Sequence, residues 1–123
     1  IVAQRLVRRI CDSCRYSTMI DPKTLTKQLP NALQYFPEKT VSIYAGKGCS
    51  NCQGSGFRGR MAIFELITVT PEMKDLILKR PSTQQLWELA KKQGSHTLFQ
   101  DGIDKVKNGI TTLEELMRVA QAD

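Results

Sequence analysis

The sequence predicts an α+β chain: a small tetracysteine module with a short antiparallel β element, followed by a cluster of about four helices. Three observations predict it. Two Cys-x2-Cys pairs, at Cys11 and Cys14 and at Cys49 and Cys52, use all 4 cysteines of the 123 residues. Two stretches, 41–45 and 60–69, are rich in alternating, β-branched and aromatic residues. From Thr70 onward, capping residues and apolar stripes recur at helical spacing.

Taken in order, Val2, Leu6 and Ile10 recur every fourth residue, joined by Ala3 and Val7, while Arg5, Arg8 and Arg9 share the other side; this spacing predicts an amphipathic helix over 1–10. Asp21 followed by Pro22, then Leu25 and Leu29, predicts a short capped helix within the long excursion 15–40. Val41-Ser-Ile-Tyr-Ala45 reads as a strand leading to the turn at Gly46 and Gly48, and 60–69 as a second strand antiparallel to it across the cysteine turn. Thr70 with Pro71 starts a helix bearing Met73, Leu76 and Ile77 that ends at Arg80 and Pro81. Ser82 with Gln85 forms a capping box before Leu86, Leu89 and Ala90, and Gly94 stops that helix. Leu98, Phe99, Ile103 and Val106 define another helix, ending by Gly109. Thr111 with Glu114 opens the last one, bearing Leu113, Leu116, Met117 and Ala120. Gly102 lies inside a predicted helix, where glycine costs about 1 kcal/mol relative to alanine; close packing of another helix explains it.

At 41% hydrophobic and 24% charged residues, the composition excludes disordered, collagen-like and low-complexity readings. No apolar run approaches the ~20 residues that a bilayer-crossing helix needs, and no signal-peptide pattern opens the sequence. The chain starts at Ile1 in mid-pattern and reads as a piece of a longer protein. Its net charge of +6 is uneven: residues 1–60 carry ten Lys/Arg against three acids, and residues 61–123 carry eight against nine. A basic module is therefore joined to a nearly neutral one.

All four cysteines lie in the basic half. A two-residue spacer lets both sulfurs of a pair reach one ion at about 2.3 Å, and two pairs complete a tetrahedral thiolate shell with no open position, which is structural and not catalytic. Structural Zn²⁺ on Cys11, Cys14, Cys49 and Cys52 is the favoured reading. Two disulfides would suit a secreted chain, and a thioredoxin-like centre would need one pair in a βαβ setting; neither fits as well. Four thiolates around Zn²⁺ sum to −2, so some of the nearby arginines can serve the centre's own electrostatics. Other chemistry is absent from the sequence. There is no G-x4-G-K-[ST] phosphate loop. His96 is the single histidine and reads as a surface or capping residue, Asp101 and Asp104 as a solvated helix face, and Trp87 as core.

Ala3-Gln-Arg-Leu-Val-Arg-Arg9 before the first pair, Gly56-Phe-Arg-Gly-Arg60 and Ile63-Phe-Glu-Leu66 after the second, and Gly109-Ile-Thr-Thr-Leu-Glu-Glu115 near the end form an ordered series. Together they resemble the C-terminal region of the type II secretion and type IV pilus assembly ATPases. That resemblance implies a hexameric, cytoplasmic P-loop ATPase, peripheral to the inner membrane, whose partners are the other subunits of a homohexamer and an inner-membrane platform protein. It implies that residues 1–10 are the terminal helix of a missing ATPase core, 11–60 a zinc-binding subdomain, and 61–123 a C-terminal strand and helical subdomain. The ATP and Mg²⁺ sites of the full-length protein lie upstream, so no catalytic residue transfers to this chain. Only the ligands Cys11, Cys14, Cys49 and Cys52 carry over. The expected role is non-catalytic: a zinc-stabilised part of the ATPase that serves subunit or platform contacts in pilus or pseudopilus assembly and protein secretion. The alternative is a zinc-ribbon nucleic-acid-binding module, suggested by the basic half and disfavoured because Tyr16, Tyr35, Phe36, Tyr44 and Phe57 are scattered instead of forming a stacking face. A chaperone-type cysteine-rich domain fits less well, because its motif occurs once here and that family repeats it.

Overall fold

The computed structural model describes residues 1–121. In chain order its elements are β1 (Val2–Ile10), β2 (Arg15–Ile20), a 3-10 helix (Pro22–Lys27), α1 (Ala32–Tyr35), β3 (Val41–Gly46), β4 (Phe57–Leu66), α2 (Pro71–Leu78), α3 (Thr83–Lys92), α4 (Leu98–Lys107) and α5 (Leu113–Val119). Strands and helices thus combine as the α+β reading expects.

The first segment corrects the sequence reading. Residues 2–10 are a strand, not a helix, and pair antiparallel with β4, Val2 opposite Leu66 and Val7 opposite Met61. An interval of four is even, so Val2, Leu6 and Ile10 satisfy a strand's alternation as well as a helix's i,i+4 stripe. The ladder partner decides between them, because β4 has no other strand to satisfy its backbone.

The expected hairpin of 41–45 with 60–69 does not form either. β3 pairs with β2, from Arg15 opposite Gly46 to Ile20 opposite Val41. The reason lies in the cysteine pairs. Once the two Cys-x2-Cys loops stand side by side, the segments leaving them run in parallel tracks: 1–10 beside 57–66 on one side, 15–20 beside 41–46 on the other. Two ribbons, each of two strands, therefore meet at the cysteines.

The core joins both ribbons to the later helices. Val7 and Ile63 from the first ribbon, Leu25, Leu29, Ala32, Phe36 and Val41 from the excursion, and Phe99, Ile103, Val106, Leu113 and Leu116 from α4 and α5 form one apolar cluster. Tyr35 meets Phe99 edge to face at 5.2 Å between ring centroids. Both outer edges of the β1–β4 ribbon are closed by the helical part. On the β4 side, the Phe64 N–H donates to Asp101 Oδ2 at 2.8 Å, and Glu65 Oε2 accepts from the Leu98 N–H at the start of α4. On the β1 side, the Ile10 N–H donates to the Ile110 carbonyl and the Arg8 N–H to Glu115 Oε1.

Helix starts follow their capping chemistry. Thr70 accepts from the Met73 N–H, and Ser82–Gln85 and Thr97–Gln100 form reciprocal capping boxes. For α5 the cap is Thr112, which accepts from the Glu115 N–H, not Thr111. Thr111 is fully buried and donates its hydroxyl to the Arg8 carbonyl, so tertiary bonding claims it and shifts the helix start by one residue. Asp21 caps the 3-10 helix through the Lys23 N–H, as the Asp-Pro pair predicts.

Gly102 of α4 packs directly against the Leu116 side chain of α5. A Cβ placed on it would lie 2.1 Å from Leu116 Cδ1, and Leu116 is itself fully buried. The substitution Gly102→Ala gains about 1 kcal/mol of helix propensity against roughly 1–3 kcal/mol of overpacking. The expected net result is a modest loss in a thermal or denaturant melt; a stabilised variant would show that Leu116 has room to move.

Candidate metal centre

Cys11 and Cys14 sit in the turn between β1 and β2, and Cys49 and Cys52 in the loop between β3 and β4. Each pair is a tight knuckle. The Cys14 N–H donates to the Cys11 carbonyl, and the Gly54 N–H to the Cys49 carbonyl. The knuckles touch through backbone and side chain: the Cys11 N–H donates to the Gly56 carbonyl at 2.9 Å, the Lys47 N–H to the Cys14 carbonyl, and the Asn51 Nδ2 side-chain amide to Ser13 Oγ at 2.8 Å. Gly46 and Gly56 cross so closely that a Cβ on Gly46 would lie 2.2 Å from the Gly56 carbonyl oxygen. Only glycine fits that crossing.

This packing brings all four predicted ligands together. Their sulfurs lie within 4.8 Å of one another. Three of the six separations are 3.7 Å for Cys11 to Cys49, 3.8 Å for Cys14 to Cys52 and 3.7 Å for Cys49 to Cys52. A disulfide needs about 2.05 Å, and all four cysteines are free. A tetrahedron with corners about 2.3 Å from its centre has edges of about 3.8 Å, the spacing a tetrathiolate shell requires. The four cysteines are therefore positioned to hold a metal ion.

Backbone donors already prepare the sulfurs for negative charge. Burial pushes the Cys52 thiol up, but the N–H groups of Cys49 and Gly56, each 3.2 Å from its sulfur, outweigh that and bring it down to about 6. Cys14 goes the other way. Burial raises it first, then the neighbouring sulfurs, to about 11, against a single N–H donor from Gly48 at 3.4 Å. Cys52 is thus held closer to its thiolate form than Cys14.

Other candidates from the sequence do not join the centre. His96 is exposed. Asp101 accepts from the Phe64 N–H and pairs with Lys105 at 3.5 Å, so its role is to fasten α4 to β4. Trp87 is half-buried on α3. Sequence reasoning missed the Ser13–Asn51 clamp and Arg15, whose guanidinium lies 5.8 Å from the Tyr44 ring centroid and donates to the Gly109 carbonyl at 3.1 Å. Neither has a spacing signal. It also missed Glu115, which accepts from Arg8 through the main chain and guanidinium and from the Arg118 guanidinium.

Comparison with known proteins places this arrangement. The type II/IV secretion system protein family matches residues 1–118. The chain belongs to that family. Its relatives in the family include the type IV pilus assembly ATPase PilB of Thermus thermophilus, 38% identical over 117 residues that cover 95% of this chain and 13% of the relative. They also include the putative type II secretion system protein E of Escherichia coli, 39% identical over 122 residues, 99% of this chain and 24% of the relative. A third is the type II secretion system ATPase E of Vibrio cholerae, 33% identical over 121 residues, 98% and 23%. The chain spans a quarter or less of the length of these curated relatives. Among its described residues no helix is long and apolar enough to cross a membrane.

Proposed function

We propose that this chain is the zinc-stabilised, non-catalytic C-terminal part of a hexameric secretion or pilus assembly ATPase. On this reading residues 1–10 finish the ATPase core, 11–60 form the zinc-binding subdomain and 61–123 the C-terminal subdomain. Zn²⁺ on Cys11, Cys14, Cys49 and Cys52 joins the two knuckles, so that the ribbons on either side keep a fixed angle. The single observation that carries the reading is the gathering of four free sulfurs from two loops within 4.8 Å of one another, three of their separations at the edge length of a tetrathiolate shell.

The closed thiolate shell leaves no coordination position for a substrate. The metal's contribution is architectural, and ATP and Mg²⁺ act elsewhere in the full-length protein. The region would serve contacts with neighbouring subunits or with a membrane platform protein during pilus or pseudopilus assembly and protein secretion. The setting is the cytoplasmic side of the inner membrane. The nucleic-acid reading is weakened by the use of the aromatics: Phe57 carries the Arg8 guanidinium at 4.3 Å, Tyr16 lies 5.4 Å from the Lys47 ammonium, and Phe36 is buried. No base-stacking platform is left among them.

Elemental analysis of the purified chain tests the reading. About one zinc per chain and no ATP turnover are expected from the four-thiolate stoichiometry. A fully folded chain free of metal, or measurable hydrolysis, would overturn it.

A further inference from the structure

The β1–β4 ladder is interrupted beside the cysteines. Arg8 stands opposite Arg60 and Ile10 opposite Phe57, so two residues of β4, Arg58 and Gly59, face the single residue Arg9. Gly59 has φ +82°, the left-handed conformation of a glycine bulge. Bulges re-aim the side chains around them. Here Arg9, Arg58 and Arg60 line one cleft of about 450 Å³, together with Asp12, Ser13 and Cys11.

The three guanidiniums stand out because arginines nearby are already neutralised. Arg8 is paired with Glu115 at 3.2 Å, and Arg15 leans toward Asp12 at 3.9 Å. Among the described residues, Arg9, Arg58 and Arg60 have no ion pair. Asp12, the one acid in the cleft, is 77% exposed and turned to Arg15. Ser13 accepts from Asn51 and keeps its own hydroxyl proton to donate. Three guanidiniums outweigh the −2 of a four-thiolate zinc centre at Cys11, so the cleft keeps a net positive charge for an anion to meet.

We propose that this cleft binds a phosphate-bearing anion. A carboxylate offers two oxygens and one charge, whereas a diphosphate offers more oxygens and higher charge, matching three guanidinium forks. The same chemistry serves a free phosphate compound or a phosphomonoester lipid headgroup such as that of phosphatidic acid, which keeps three terminal oxygens and a charge of about −1.5 to −2. The site is defined by the bulge and the unpaired arginines, and it stands whether or not the subunit and platform contacts proposed above are correct.

The test compares the purified, metal-bearing chain with the Arg58→Ala/Arg60→Ala variant in two arms, with metal content measured in both. One arm titrates inorganic pyrophosphate by calorimetry; the other sediments the protein with phosphatidic acid/phosphatidylcholine vesicles. Removing each guanidinium is expected to weaken binding at least about tenfold, as loss of a charge-assisted hydrogen bond implies, with metal content unchanged. Pyrophosphate binding identifies a free phosphate; vesicle binding without pyrophosphate affinity identifies a headgroup. If the double variant loses metal, the single Arg58→Gln variant at an exposed position replaces it. Absence of binding in both arms, undiminished binding by the variant, or binding of a poly-glutamate peptide tighter than that of whichever phosphate probe binds overturns the proposal.

Discussion

Chelating the metal is expected to strip hydrogen-exchange protection from residues 11–19 and 42–56 while α4 and α5 stay protected. Structural zinc contributes an apparent ~10–16 kcal/mol in small sites, comparable with the whole stability of many domains, ~5–15 kcal/mol. The loss should nevertheless be local. From the sequence, all of residues 11–60 would depend on metal, but Leu25, Leu29, Ala32, Phe36 and Val41 sit in the same apolar cluster as Phe99, Ile103 and Val106. Those contacts hold the excursion without the ion. The exposed strand β2 and the two knuckles have little else. Cys52→Ser should reproduce the effect, because it removes the sulfur that the Cys49 and Gly56 N–H groups prepare as a thiolate. Apparent metal affinity should also fall as pH is lowered. Cys52, near 6, is already ionised at neutral pH, but Cys14, near 11, must release its proton when the metal binds. Hydrogen exchange that is identical with and without chelator would remove the metal from the account of this fold.

Replacing Glu115 with Ala is expected to cost roughly 2–3 kcal/mol in a denaturant melt at pH 7. Breaking a buried pair by removing one partner typically costs 3–5 kcal/mol, and the figure is reduced here because Arg8 and Arg118 are 52% and 57% exposed, which screens their charge. Glu115 itself is only 3% exposed. It closes the outer edge of β1 by accepting from the Arg8 N–H while holding two guanidiniums. The Arg118 guanidinium first, and then Arg8, overcome burial to hold its carboxyl at about 2, below the ordinary 4.5. A depressed carboxylate stabilises the fold above its unfolded value and loses that contribution as pH falls through the folded one. Wild-type stability should therefore drop between about pH 5 and pH 2 by on the order of 2 kcal/mol more than that of Glu115→Gln. Equal slopes for the two proteins would show that Glu115 is not the group responsible.

Much of the local structure was legible because its causes are local. Ser82 with Gln85 caps α3 through atoms three residues apart, and the glycine at 102 marks a helix crossing that one missing side chain announces. The cysteine centre was legible for a different reason: two identical short spacings and no leftover cysteine allow one closed shell. Strand partners were not legible. Val2, Leu6 and Ile10 fit either period, and β2 (Arg-Tyr-Ser-Thr-Met-Ile) is largely exposed on both faces, so it carries no alternation to read. Glu115 gave no signal either, since an acid in the first turn of a helix looks like an ordinary dipole partner until β1 is laid against it.

The sequence by itself determined which four cysteines would gather, the helix caps and stripes and, through its ordered motifs, the family, because each depends on residues close together in the chain or on type and spacing alone. Tertiary structure decided which strands pair, that Thr112 and not Thr111 caps α5, that Glu115 locks β1, and that three arginines share a cleft. These depend on which distant segments the two knuckles bring side by side. Backbone hydrogen bonds and buried charges must then be satisfied by whatever lies across that contact, and no local pattern names it.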